Sequence, residues 1–315
     1  MKKFFVTGIG GFVGRYFLEY LQQNEADFQV MGVDMMSSLP WDEPHFQYRS
    51  LDMTDSAALQ SILSGFKPDY VLHLAAISSV GQSWKAPAEC FKNNTGIFLN
   101  LLEAIRSECP GARILSVGSS EVYGDYSPNA MPLKEDYQLI PGNPYAVARA
   151  GQEMCSKLYV QSFGMKIMMT RSFNHIGPRQ KETFVIPSFV NQLVRIAQNG
   201  GVGTIITGNT EIIRDFLDVR DVVVAYYLIL TQGKPGDIYN VCSGEGMKLK
   251  DIIEKTSILL NVSPVIQLDA SLMRPTDSIC IIGDNTKLMT ELGWKRQFLF
   301  TQTLQSIIDY FLRIK

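Results

Sequence analysis

Three glycines and one aspartate mark the first chemistry legible in this chain. Gly8, Gly11 and Gly14 recur at three-residue spacing. They follow an apolar, β-prone run from Lys2 to Thr7. They precede a helical pattern of Val13, Tyr16, Phe17, Tyr20 and Leu21. Glycine has no Cβ, so the backbone there turns sharply and lets a ligand approach closely. The helix start behind it offers unpaired N–H groups and the positive end of a dipole, which suits a pyrophosphate. Phe28 to Asp34 reads as a second strand ending in a carboxylate. About twenty residues beyond such a turn, a carboxylate accepts the hydroxyls of an adenosine ribose and repels a 2′-phosphate. Met35, Met36 and Ser37 follow Asp34, with no arginine or lysine among them. The expected cofactor is therefore NAD(H) rather than NADP(H).

The elements that must position these groups alternate. Strands are expected at Lys2 to Thr7, Phe28 to Asp34, Pro68 to His73, Arg113 to Val117 and Met165 to Arg171. Helices are expected behind the glycine turn, through Ser64 with Thr54 or Asp55 as N-cap, over Glu89 to Ser107, and from Pro141 to about Phe163. Ser38 to Ser50, with Pro40 and Pro44, reads as a loop. This alternation predicts an α/β fold with a doubly wound parallel sheet. Leu74, Ala75 and Ala76 are small or apolar residues outside a strand end, where a cofactor can lie across them. The remainder reads differently: a loop at 172–180, a helix at 186–197, a short strand at 204–206, a segment at 213–217 leading into a helix at 222–230, and one more main-sheet strand at 237–241. Helices at 248–260 and 301–312 complete a smaller C-terminal α/β lobe. The expected division is a dinucleotide-binding unit of 1–175 plus about 212–245, and a substrate lobe of about 176–211 plus 246–315. Substrate is expected between them.

Composition narrows the function classes. The 315 residues are 46% hydrophobic and 19% charged, with a formal net charge of -2, an ordinary globular profile with no pull toward nucleic acid. No apolar run reaches membrane-spanning length. The run behind Lys2-Lys3 stops at the glycine turn and reads as a strand, not a signal peptide. Five scattered cysteines form no C-x-x-C pair, and three dispersed histidines make no zinc pattern. The expectation is a reduced, cytoplasmic, metal-free protein with no membrane or nucleic-acid partner.

Further residues bring a resemblance into view. Gly8, Gly11 and Gly14, Asp34, His73-Leu74-Ala75-Ala76, Ser119 with Glu121, Tyr145, Phe173-Asn174 and Arg214-Asp215-Phe216 run in this order. The chain thereby resembles the extended short-chain dehydrogenases/reductases, the nucleotide-sugar epimerases, dehydratases and reductases, over nearly its full length. AAISSVGQSW at 75–84, GSSEVYG at 118–124, RSFNHIG at 171–177 and GNTEIIRDFLDVRD at 208–221 are similar to the branch that acts on GDP-linked sugars. The resemblance implies a Rossmann fold, a GDP-sugar substrate and oxidoreductase chemistry at C4 of the sugar, foremost reduction of a 4-keto-6-deoxy-mannose-type compound. Alternatives it leaves open are a C4 dehydrogenase or epimerase and a GDP-mannose-type 4,6-dehydratase.

Roles follow from the resemblance residue by residue. Tyr145 stands at the proton-transfer position, and Ser119 would hydrogen-bond the substrate oxygen. Glu121 matches the base of the dehydratases, although reductases keep it too. The cofactor set implied is Gly8, Gly11, Phe12, Val13, Gly14, Asp34, Asp52, Met53, Leu74, Ala75, Ala76, Asn94, Tyr145 and Arg149. Ser79, Ser120, Asn174, Asn209, Arg214 and Arg274 are implied on the substrate, the arginines as forks for a diphosphate. The family pattern is Tyr-x-x-x-Lys, whereas this chain reads Tyr145-Ala-Val-Ala-Arg149. Arg149 lies one turn from Tyr145 on the same helix face and remains a cation, but a guanidinium does not relay a proton. An intact but slower enzyme, a shifted cofactor, and a non-catalytic NAD-binding protein are all compatible with that change. The family also implies a homodimer through helices at 95–107 and 145–163, where Leu99 and Leu158 suit such an interface and a core equally.

Overall fold

The computed structural model describes residues 1–273 and 278–314. Seven parallel strands form the main sheet: β1 (Lys2–Thr7), β2 (Phe28–Asp34), β3 (Phe46–Ser50), β4 (Tyr70–His73), β5 (Arg113–Val117), β6 (Lys166–Ser172) and β10 (Ile238–Val241). Their order is β10-β6-β5-β4-β1-β2-β3. The central strands are almost wholly buried, as a sheet covered on both faces requires. Four further strands, β7 (Asn174–Ile176), β9 (Ile213–Asp218), β11 (Gly246–Lys248) and β13 (Cys280–Ile281), make a small mixed sheet around β9. β8 (Val202–Thr207) and β12 (Ser263–Leu268) pair in parallel beside it.

The helices are α1 (Phe12–Asn24), α2 (Ser56–Phe66), α3 (Val80–Lys85), α4 (Pro87–Glu108), α5 (Pro144–Phe163), α6 (Val185–Gln198), α7 (Val219–Gln232), α8 (Leu249–Leu260), α9 (Thr286–Leu292) and α10 (Phe300–Arg313). One core lies under α1 and α7, with Phe17, Leu21 and Tyr226 packed on Phe4, Val6 and Leu115. A second lies under α2 and α4, with Leu59, Phe98 and Leu101 on Phe5, Val71 and Ile114. A third joins α6, α8 and α10 to Ile205 and Phe216 of the small sheets. Each fully buried Phe, Leu or Ile contributes about 1.5–3 kcal/mol, so all three cores matter to stability.

Two segments read as loops are strands. Phe46–Ser50 pairs with β2 because Phe46 and Tyr48 alternate toward the first core, an edge-strand pattern behind two prolines. Asn174–Ile176 pairs with β9, a contact between segments distant in sequence. Of the two N-cap candidates for α2, Asp55 serves: its carboxylate accepts from the Ala58 N–H at 3.0 Å.

The acids of the 214–221 stretch fasten the C-terminal elements. Asp215 is fully buried and accepts from Ser243 N and Oγ at 2.8 and 2.7 Å, Gly244 N at 2.9 Å and Gly283 N at 3.3 Å. Asp218 accepts from the Thr303 hydroxyl of α10 at 2.7 Å. Asp221 accepts from the Gln297 and Phe298 N–H groups at 2.9 and 3.0 Å. Four donors on one buried carboxylate make Asp215 the junction of β9 with the turns after β10 and β13.

Candidate active site

The strand order reverses between β1 and β4, and open α/β sheets take their ligands in the crevice outside such a reversal. A cavity of about 1300 Å³ lies there, running from the glycine turn past α5 to the small sheet. Gly8, Gly11, Phe12, Val13, Gly14, Asp34, Asp52, Met53, Leu74, Ala75 and Ala76 all line it.

The glycine turn is shaped by its neighbours. Gly8 has φ of +68°, and a Cβ on it would lie 2.8 Å from the Ala75 nitrogen. A Cβ on Gly14 would lie 2.4 Å from the Ile9 carbonyl oxygen. α1 starts at Phe12 with Gly11 as a cap that offers no side-chain acceptor, and its first turn carries no acid. Its leading N–H groups therefore remain available to an anion. The Asp34 carboxylate takes the Gly10 N–H at 3.0 Å, which ties the end of β2 to the turn. Beneath them, Thr7 Oγ1 accepts from the Leu74 and Ala75 N–H groups, both at 3.2 Å, and lies 2.9 Å from His73 Nδ1. With two N–H groups on its oxygen, the hydroxyl directs its own hydrogen to Nδ1. Burial, aided by the Arg149 charge, pushes the His73 pKa down to about 3. His73 is thus a scaffold joining the two backbone segments of the bed. An uncapped helix start, a close-approach turn and a strand-end carboxylate are the features a dinucleotide needs, and the residues present fit that group.

The opposite part of the wall comes from β5 and α5. Asn143 caps α5 by accepting from the Ala146 N–H at 2.8 Å, and its amide donates to Glu121 at 2.8 Å. This fixes the helix start beside the turn that follows β5. Ser119 Oγ accepts from the Glu121 N–H at 3.2 Å, leaving the serine hydrogen for another acceptor. Tyr145 packs against Val80 and Cys90, and its hydroxyl oxygen accepts from Arg149 Nε at 3.1 Å. The phenolic hydrogen is thereby left to donate. Arg149 is only 4% exposed yet reaches the cavity wall. Its Nη1 donates to the Val117 carbonyl and to Gln152 Oε1. The arrangement offers a proton donor, a second hydroxyl and a permanent cation on one wall, the equipment of general acid–base chemistry at a carbonyl.

The structure brings most of the sequence-derived set together. Ser79, Ser120, Asn174, Asn209 and Arg214 line the same cavity as Ser119, Glu121, Tyr145 and Arg149. Ser79 also caps α3, and Asn209 accepts from the Glu211 N–H at 3.0 Å. Arg214 Nη1 donates to the carbonyls of Ile213 and Ser278 at 2.9 and 2.7 Å. Asn94 stands behind the wall: its amide exchanges hydrogen bonds with the backbone of Ile77, a wall residue. Arg274 lies outside the described residues. Sequence reading passed over Asn143 and Gln152, whose amides hold Glu121 and Arg149, and the wall residue Lys181, and it gave the wall residue His175 no role. Asn143 was findable as a cap before Pro144, whereas a glutamine inside a helix carries no signal.

Known proteins share both sequence and architecture with this chain. The model of the family described as GDP-mannose 4,6 dehydratase matches residues 5–307. The GDP-6-deoxy-D-mannose reductase of Pseudomonas aeruginosa is 32% identical over 308 residues, covering 98% of this chain and 96% of that protein. The dTDP-glucose 4,6-dehydratase of Haemophilus influenzae is 28% identical over 338 residues, covering 99% and 98%. Among solved structures, RMD from Pseudomonas aeruginosa complexed with NADPH aligns with a TM-score of 0.87 at 31% identity, covering 100% of both chains. The UDP-glucose 4-epimerase of Thermotoga maritima with UDP-glucose aligns with a TM-score of 0.88 at 27% identity, covering 99% of both. The chain belongs to the GDP-mannose 4,6-dehydratase family of extended short-chain dehydrogenases/reductases.

Proposed function

We propose that this protein is a nicotinamide-dependent oxidoreductase that reduces C4 of a GDP-linked 4-keto-6-deoxy-mannose-type sugar. The observation that carries the reading is the Tyr145 phenol, its oxygen held by Arg149 Nε, on a cavity wall shared with the Ser119 hydroxyl. The extent of the likeness to the Pseudomonas aeruginosa reductase supports the sugar class. A bound nicotinamide supplies the hydride chemistry. Tyr145 delivers a proton to the C4 oxygen, and Ser119 orients that oxygen by donating its free hydrogen. Arg149 keeps the site cationic and holds the Tyr145 oxygen in place. The glycine turn, Asp34, Asp52, Met53 and the Leu74–Ala76 segment form the dinucleotide bed. Ser79, Ser120, Asn174, Asn209 and Arg214 hold the GDP-sugar, in a lobe built from about 176–211 plus 246–315. Asp34 favours NADH, while a solved relative holds NADPH.

Adding GDP-4-keto-6-deoxy-mannose and NADH to the purified protein tests the reading. Enzyme-dependent loss of NADH absorbance is expected; no loss with NADH bound overturns it. A second reading, 4,6-dehydration, is favoured by Glu121 on the cavity wall. It predicts a 4-keto product from GDP-mannose without net NADH consumption. Asn143 donates to the Glu121 carboxylate, which supports a positioning part for that residue in the reductase instead.

Val147, Met154 and Leu158 of α5 are 43%, 67% and 54% exposed, an apolar stripe suited to pairing with a second copy. Together with the family likeness it supports a homodimer, which sedimentation would report. Five free cysteines suit a reducing, cytoplasmic setting.

A further inference from the structure

Arg149 occupies the position of the family lysine, and the two side chains present a cation differently. A lysine ends in one nitrogen on a flexible stem, whereas a guanidinium is a planar fork whose N–H groups are aimed only once its plane is set. Here the fork is held firmly. Nε donates to the Tyr145 oxygen at 3.1 Å, and Nη1 donates to the Val117 carbonyl at 3.1 Å and to Gln152 Oε1 at 2.6 Å. Nη2 has no partner among the described residues, and Arg149 lines the cavity.

The amide of Gln152 is itself fixed. Its Nε2 donates to Ser116 Oγ at 2.8 Å and to the Val117 carbonyl at 3.1 Å. Ser116 Oγ lies 3.2 Å from Ser156 Oγ, which donates to the Gln152 carbonyl at 2.9 Å. With both amide hydrogens used on β5, only Oε1 is left for the guanidinium. The reverse orientation would set an NH₂ group against a cation. Gln152 is 1% exposed and does not reach the cavity, so it touches neither substrate nor cofactor.

We infer that Gln152 is the positioning residue that lets an arginine serve at position 149. It sets the plane of the fork so that Nε meets the Tyr145 oxygen while Nη2 is presented to the dinucleotide in the cavity. The inference rests on the roles proposed above for Tyr145 and Arg149. A lysine, with no plane to set, has no such need of Gln152.

A double-mutant cycle tests this. Gln152→Leu, Arg149→Lys and the double variant are compared with wild type in kcat, in KM and in the NADH dissociation constant by fluorescence. With Arg149 in place, Gln152→Leu is expected to lower kcat about tenfold or more, the loss typical of a hydrogen bond to a charged group. On the Arg149→Lys background the same change is expected to cost less than about threefold, a rescue that follows from removing the fork. Equal losses on both backgrounds would mean that Gln152 merely packs α5 on β5, and would overturn the inference. So would wild-type kcat in Gln152→Leu. Thermal unfolding of all four proteins controls for folding, and Gln152→Met replaces Gln152→Leu if the latter does not fold. If wild type reduces no keto sugar, the reductase reading fails by itself. The cycle is then read in the NADH dissociation constant, where the same asymmetry is expected and its absence is decisive.

Discussion

The two ends of the cavity are built on different terms. On the β5–α5 wall, Ser119, Tyr145 and Arg149 are at most 8% exposed, and each side chain is tied to another buried or backbone group. At the small-sheet end, Asn174 and Asn209 are exposed, and the bonds resolved for their side chains run to backbone atoms. The difference teaches where precision is needed. Proton transfer demands heavy-atom placement within hydrogen-bond reach, so its groups are locked by burial. Recognition of a nucleotide leaves its asparagines exposed, whereas Arg214, 7% exposed and tied to the Ile213 and Ser278 carbonyls, is held at that end as firmly as the β5–α5 wall.

The comparison can be broken at either end. The largest effect is expected from Tyr145→Phe, which removes the proton donor without emptying the wall. It should lower kcat by about a thousandfold, with NADH binding within about threefold of wild type, as titration would reveal. Next comes Asp215→Ala beneath the small-sheet end. It strands three N–H groups and a hydroxyl, and a loss of about 3–5 kcal/mol in denaturant-measured stability is expected. Arg214→Ala should act on binding alone. A KM increase of about tenfold with kcat nearly unchanged would fit; a kcat loss of the size seen for Tyr145→Phe would erase the distinction between the two ends. Asp34→Ser is a milder change at the dinucleotide bed, expected to raise the NADPH-to-NADH ratio of kcat/KM by about tenfold through loss of repulsion.

A further test of the scaffold concerns pH. His73 has a folded pKa near 3 and an unfolded value near 6.5, so the unfolded chain takes the proton first. Stability from a neutral His73 is therefore full above pH 6.5 and is lost progressively as pH falls toward 3. The slope is at most about 1.4 kcal/mol per pH unit for this group. Denaturant midpoints falling between pH 6.5 and 4, with a His73 NMR signal that does not titrate in that range, would sharpen the picture of a scaffold histidine.

Much of this architecture was legible beforehand, for identifiable reasons. The six residues of β1, the glycine turn and Asp34 lie within one local βαβ unit, so spacing alone reports their arrangement. β3 was not legible because Phe46 and Tyr48 are half-buried at a sheet edge and stand behind a proline-bearing stretch. β7 is three residues long and exists only because β9, from far along the chain, lies beside it. Asn94 carries the polar character of a ligand contact, yet its place behind Ile77 is a matter of how α4 meets the loop after β4.

The sequence by itself determined most element types, the parallel doubly wound sheet, the dinucleotide turn and the pairing of Tyr145 with Arg149. These depend on local periodicity, on residues that permit or forbid a backbone shape, and on the pitch of one helix. Only the tertiary structure decided which buried groups hold the site in place. Thr7 with His73 Nδ1, Asn143 with Glu121, and Gln152 with Arg149 and Ser116 are paired across segments distant in sequence or in neighbouring elements, and a buried polar group finds its meaning only in the partner beside it.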